Sequence, residues 1–187
     1  MNRERLFLSG VLRATRRRRG RRRPHRPLVL AGLGLAAIGF ATLADPAPRV
    51  VWNASASAPV GLYWVSDAAP KRGDLVLAEP PVEARRLAVE RGYLPDGVPL
   101  VKRVAALGGD TVCAVEETVF VNGQSVAGRL AHDGRGRPLP RWTGCRMLDG
   151  DELFLLMENV PDSFDGRYFG LTRGTTVLGR LVPLWTD

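Results

Sequence analysis

The feature that most constrains this chain is an abrupt boundary near residue 28. Before it, residues 1–27 carry 11 arginines (Arg3, Arg5, Arg13, Arg16 to Arg19, Arg21 to Arg23, Arg26) against one acidic residue, Glu4. After it, residues 28–44 (LVLAGLGLAAIGFATLA) run for 17 positions without a charge. As a helix this run is about 26 Å long, the short end of what a bilayer core requires. Arginines on its N-terminal flank hold that side in the cytoplasm under the positive-inside rule, so the chain after Asp45 lies across the membrane. The expected organisation is an arginine-rich cytoplasmic tail (1–27), a transmembrane anchor (28–44) and an exported domain (45–187). That makes a single-pass membrane protein with its larger domain exported. A cleaved secretory signal is the alternative: Thr42-Leu43-Ala44 has small residues where a cleavage site needs them, whereas the long charged region before the apolar run favours retention. A core helix of a soluble protein is the plainest reading, and the arginine cluster at 16–26 argues against it.

Charge excludes one further class. The whole chain has a net charge of +8, but the tail takes 11 of the 27 basic residues and one of the 19 acidic ones. Residues 28–187 are left with 16 basic and 18 acidic side chains. A domain that wraps nucleic acid carries its positive charge on the folded part, so no specific nucleic-acid partner is expected. The tail suits anionic lipid instead. The two cysteines, Cys113 and Cys145, form no CxxC or Cys/His cluster, which argues against a zinc site. Export would favour a disulfide between them; two buried thiols are the other reading. Nothing in the sequence calls for a metal or cofactor.

Short apolar segments punctuated by Gly and Pro fill the rest. Strands are predicted over 61–65, 75–77, 100–107, 111–115, 118–121, 152–158 and 177–183, with a hairpin turn at Asn122-Gly123. Residues 82–92 predict one helix, capped by Gly92. Residues 128–142, rich in Gly, Arg and Pro, predict a flexible, extended excursion. The pattern describes a mainly β domain of the coiled or barrel kind with one short helix.

Candidate chemistry narrows by elimination. Of the two histidines, His25 belongs to the arginine tail and His132 to the Gly/Arg-rich stretch, where a solvated role is the simpler one. A hydrolase built on this chain without metal or histidine needs Lys, Asp or Glu as its base. The exported part has two lysines. Lys71 sits in a turn between Pro70 and Gly73. Lys102 lies within Leu100-Val101-Lys102-Arg103-Val104, where period two puts it on one face with Leu100 and Val104. Desolvation there would lower its pKa and make a neutral amine available near pH 7. A surface lysine is the ordinary alternative.

Three segments carry a resemblance. Residues 100–112 (LVKRVAALGGDTV) resemble the lysine-bearing box of type I signal peptidases, and residues 162–170 (DSFDGRYFG) resemble their C-terminal box. Residues 53–63 (NASASAPVGLY) are similar to the serine box of the TraF-type branch, proteins of conjugal transfer. The resemblance implies a signal-peptidase-like coiled β domain and a serine endopeptidase. It implies Ser57 as nucleophile, Lys102 as general base, Ser163 as the hydroxyl orienting that lysine, and Asp165 with Arg167 as a buried supporting pair. Ser55 falls where general signal peptidases place an oxyanion-binding hydroxyl. The implied substrate is an exported precursor, a pilin-like subunit of a conjugation apparatus above all. A housekeeping signal peptidase and a non-catalytic module of the same fold are the rivals. Three departures stand out: Met157-Glu158-Asn159 replaces Gly-Asp-Asn, Gly166 stands where many relatives have Ser, and the spacing from Ser57 to Pro59 is one residue shorter than in the general enzymes.

Overall fold

The computed structural model describes residues 25–44 and 49–186. The arginine tail through residue 24 and the linker at 45–48 lie outside them. The chain divides into two units, residues 1–46 and 47–187. In the first, α1 (His25–Ala44) is a 20-residue helix, about 30 Å long. It starts three residues before the apolar run, with Pro27 in its first turn, where proline costs no helical hydrogen bond. Leu28, Val29, Leu30, Leu33, Leu35 and Phe40 are all exposed along it. Among the described residues, no helix is long and apolar enough to cross a membrane.

Alternation of side chains organises the second unit into two antiparallel sheets. The larger takes β1 (Val50–Asn53), β2 (Gly61–Ser66), β3 (Leu75–Ala78), β4 (Leu100–Ala106), β9 (Glu152–Leu156), β10 (Thr172–Arg173) and β11 (Val177–Thr186), in the order β1-β2-β11-β3-β4-β9-β10. The smaller takes β5 (Thr111–Val115), β6 (Thr118–Val121), β7 (Gln124–Gly128) and β8 (Gly144–Met147), in the order β7-β6-β5-β8. The predicted hairpin turn joins β6 to β7: Asn122 and Gly123 both have positive φ, 48° and 79°, as a type I′ turn demands. The fold is mainly β, as expected, with helices α2 (Val82–Arg91) and α3 (Gly166–Phe169). Gly92 caps α2 as predicted, its N–H donating to the carbonyls of Ala88 and Val89.

Strand β4 carries a bulge three residues beyond Lys102. Val104 pairs with Leu155 and Ala106 with Phe154, so Ala105 is the extra residue. Beyond it β4 leads into the smaller sheet. Ala105, Ala106, Val112, Val119, Phe154 and Leu156 close a core that draws on both sheets. A second core, of Val76, Ala78, Val104, Leu153 and Leu155, backs the middle of the larger sheet. Lys102 thus sits in an interior strand, flanked by β3 and β9.

Residues 128–142 differ from the expectation of a flexible excursion. Asp133 accepts from the backbone N–H groups of Arg135 and Arg137 at 2.9 Å, from Arg137 Nε at 2.7 Å, and from the Tyr93 hydroxyl. Arg91 of α2 donates to the Pro138 carbonyl at 2.8 Å. Buried Arg129 donates to the carbonyls of Trp142 and Glu116. The segment is held to partners distant in sequence that its own composition does not reveal.

Candidate active site

The serine loop is built by one side chain. Asn53, at the end of β1, is buried, and its amide nitrogen donates to the carbonyls of Ser55 at 3.0 Å, Ala58 at 3.1 Å and Pro59 at 3.0 Å. Its Oδ1 accepts from the Ser55 N–H at 3.1 Å. Buried Tyr63 adds a hydroxyl bond to the Pro59 carbonyl at 2.7 Å. Residues 53–59 contain no large side chain that could pack the loop, so these polar bonds fix its path. Neither Asn53 nor Tyr63 follows from the sequence reading, though Asn is a turn residue because its side chain can bond the backbone two residues on, as it does here.

The loop delivers Ser57 to Lys102. The lysine Nζ donates to Ser57 Oγ at 3.3 Å and to Ser163 Oγ at 2.7 Å. Ser55 Oγ lies 3.0 Å from Ser57 Oγ and accepts from the Ser57 N–H at 3.3 Å. Ser55, Ser57, Lys102 and Ser163 therefore form one continuous chain of hydrogen-bonding groups. Lys102 is 4% exposed, facing inward with Leu100 and Val104 as period two predicts. Burial pushes its pKa down from 10.5 to about 8, the nearby Asp165 carboxylate opposing and the Arg167 guanidinium assisting. Near neutral pH a useful fraction of this amine is unprotonated. Lys71 and His132 are exposed, outside this group.

Asp165 and Arg167, 0% and 1% exposed, underpin the site. Arg167 Nε donates to Asp165 Oδ1 at 2.8 Å and Nη2 to Oδ2 at 3.2 Å. The pair is wired to the backbone around it. Asp165 Oδ2 accepts from the Met157 N–H at 3.0 Å, and Arg167 donates to the carbonyls of Met157 at 2.7 Å and Pro161 at 3.1 Å. These bonds shape residues 157–163 and so place Ser163, whose N–H reaches the Val160 carbonyl at 3.1 Å. Gly166 is a spatial necessity here. A Cβ would lie 2.7 Å from both the Leu155 carbonyl and the Phe154 ring.

A cleft of about 260 Å³ opens at Ser57, between Ala56, Ala58 and Pro59 on one side and Met157 to Val160 on the other. Met157, Glu158 and Asn159, the departure noted in the sequence, thus wall the nucleophile's cleft. Such an arrangement suits acyl transfer: a hydroxyl in an open cleft, a buried amine within reach of its proton, and a second hydroxyl beside it.

The disulfide forms between Cys113 and Cys145. It links directly opposed residues of β5 and β8, inside the smaller sheet. The bridge therefore acts within the smaller sheet, whereas β4 and β9 pair directly in the larger one.

Comparison with known proteins agrees with the three boxes. A profile of the family "Signal peptidase, peptidase S26" matches residues 23–185. Two plasmid transfer proteins TraF of Escherichia coli are similar: one is 40% identical over 167 residues, covering 84% of this chain and 90% of that protein. The other is 39% identical over 148 residues, covering 72% of this chain and 81% of its own length. A signal peptidase I of Leptolyngbya laminosa is 26% identical over 113 residues, covering 60% of this chain and 51% of that protein. With the profile spanning nearly the whole described chain and the TraF proteins its stronger relatives, this chain belongs to the signal peptidase family S26, in the TraF-type branch.

Proposed function

We propose that the protein is a membrane-anchored serine endopeptidase using Ser57 and Lys102 to process an exported precursor, a pilin-like subunit of a conjugative transfer system. The observation that carries this reading is Lys102 Nζ, buried and within hydrogen-bond distance of both Ser57 and Ser163. Neutral Lys102 takes the Ser57 proton as Oγ attacks the scissile carbonyl. The tetrahedral oxyanion takes the Ser57 N–H and, once the Ser55 hydroxyl rotates toward it, that second donor. Lys102 then protonates the leaving amine. Water resolves the acyl-enzyme in hydrolysis; the substrate's own N-terminal amine would resolve it by cyclisation. The TraF relatives favour a conjugation substrate over the general precursors of a housekeeping enzyme.

Three features support the membrane part. One is the uncharged run behind the arginine tail; another is the apolar surface all round α1. The third is a sheet face carrying exposed Trp52, Trp64 and Trp185, the first and last stacked with centroids 5.6 Å apart. Tryptophan favours the membrane–water interface.

The test is mass spectrometry of a co-expressed pilin-like precursor. Ser57→Ala and Lys102→Ala are expected to leave it uncut, and Lys102→Arg is expected to be equally inactive because arginine does not deprotonate. Substantial processing by Lys102→Arg would remove the lysine from the mechanism. A product one water lighter than the trimmed chain would identify cyclisation. For a fixed peptide, kcat/KM should rise with pH and level off through a midpoint near 8, as the lysine loses its proton. A flat profile from pH 6 to 9 would contradict a titrating amine base.

A further inference from the structure

We infer that the substrate is gripped in a second cleft beyond the reacting one, by an extended segment flanking the scissile bond. This rests on the peptidase reading above and deepens it. The second cleft has a volume of about 390 Å³, and its walls include Thr118, Leu130 and Pro161, with Glu117 and Glu158 among the lining side chains. Glu158 lines both clefts, so the two adjoin. A chain lying across Ser57 and leaving past Glu158 therefore enters the second cleft.

The cleft is a built one. Arg167 lines it and donates to the carbonyls of Pro161 at 3.1 Å and Gly128 at 3.3 Å, both of them cleft residues. The guanidinium that closes on Asp165 under the catalytic lysine thus also sets the spacing of the second cleft's walls. Leu130 is held by its N–H to the Tyr168 hydroxyl at 3.1 Å, and the residue is 43% exposed. Charge inside the cleft is only partly compensated. Glu117 is bound by Arg141 at 2.7 Å, while buried Arg129 is satisfied by backbone carbonyls and keeps its positive charge. Glu158 is exposed and, among the described residues, has no hydrogen-bond or ion-pair partner. The occupant that fits is an extended peptide. It passes an N–H or a cationic side chain by Glu158 and sets an apolar side chain against Leu130 and Pro161. Because the two clefts share Glu158, that side chain belongs to the stretch flanking the cleaved bond.

The test uses the full chain in detergent micelles and three synthetic peptides with a small residue at the scissile bond. One is short, and the other two extend it by about six residues on the N-terminal or the C-terminal side. Extension on one side is expected to raise kcat/KM about tenfold, mainly through KM. Leu130→Asp and the milder Leu130→Ser should each cut the long-to-short ratio severalfold, whichever side carries the gain. The inference is overturned if neither extension helps, or if the gain survives both Leu130 variants undiminished. Failure to cut even the short peptide would instead overturn the peptidase reading, and this inference with it.

Discussion

The two halves of the proposed dyad are held in opposite ways. Lys102 sits in the interior of a seven-stranded sheet, fixed by β3 and β9 on either side. Ser57 sits on a loop whose path is set mainly by hydrogen bonds from Asn53 and Tyr63. The lysine side therefore commands charge: burial tunes the amine, and a buried ion pair shapes the segment that carries Ser163. The serine side commands geometry, and little packing protects it. Damage on the first side should register as lost stability or a moved pH profile. On the second it should register as lost turnover in a protein that still folds.

The sharpest way to break the comparison is at Asp165. Asp165→Ala leaves Arg167 buried without its carboxylate, a change that costs about 3–5 kcal/mol, a large share of a domain's usual stability. Urea unfolding should register it, and little folded protein should remain for turnover. In whatever fraction folds, the pH midpoint should move below that of the parent, because Asp165 supports the lysine's charge and Arg167 opposes it. An unchanged unfolding midpoint would show that the pair is dispensable.

Lys102 itself offers the contrary test. Its folded pKa is about 8 against an ordinary 10.5. Between those values the unfolded chain holds a proton that the folded one lacks, so stability should rise with pH across that window. Below about pH 8 the full cost of burying the ammonium applies, about 3 kcal/mol at 1.36 kcal/mol per pH unit. Lys102→Met removes that cost while keeping the bulk of the chain. It should be inactive, yet no less stable than the parent at pH 6, and it should lose the parent's pH-dependent gain between 8 and 10. A strongly destabilised Lys102→Met would mean that the amine's bonds to Ser57 and Ser163 outweigh its desolvation.

On the serine side, Asn53→Ala removes three donated bonds and one accepted bond. The cost in stability should be about 1–3 kcal/mol, because the Ser55 and Pro59 carbonyls lie in part-buried bonds and can turn to water, while the Ala58 carbonyl is left buried and unpaired. Turnover should fall about 10- to 100-fold, with kcat reduced far more than KM, as misplacing a nucleophile predicts. Asn53→Asp keeps the acceptor for the Ser55 N–H but sets a carboxylate against three carbonyls, so it should rescue nothing. Full turnover in Asn53→Ala would show that the loop keeps its path without the clamp.

These differences explain what the sequence made legible. Lys102 was readable because strand alternation assigns it to the face of Leu100 and Val104, and that face is buried. Ser57, Ser163, Asp165 and Arg167 were readable only through the resemblance of their boxes. Asn53 was not, because its partners are backbone carbonyls and carry no side-chain signature. Strand β8 (Gly144–Met147) was missed because all four of its residues are exposed, leaving no alternation to read. The segment 128–142 looked loose because its anchors, Tyr93, Arg91 and Tyr168, lie far away in sequence.

The disulfide gives the smallest expected effect on catalysis, despite a real effect on folding. Cys113 and Cys145 are 32 residues apart, and a loop of that size corresponds to about 3–4 kcal/mol in the chain-entropy account, whose mechanism is debated. The bridge lies across β5 and β8 of the smaller sheet. The site takes Lys102 from β4, Ser57 from the loop before β2 and Ser163 from the segment after β9, none of which it touches. Strand pairing between β5 and β6 and between β4 and β9 persists without it. Reduction should therefore lower the unfolding midpoint clearly while leaving kcat within about twofold at temperatures where the reduced protein stays folded, since the site geometry it would have to disturb is set elsewhere. Cys113→Ser with Cys145→Ser should behave like the reduced protein. A collapse of kcat in still-folded, reduced enzyme would mean that the smaller sheet holds the lysine strand in place through the bulge at Ala105, and the division between a charge-setting sheet and a geometry-setting loop would need a third member.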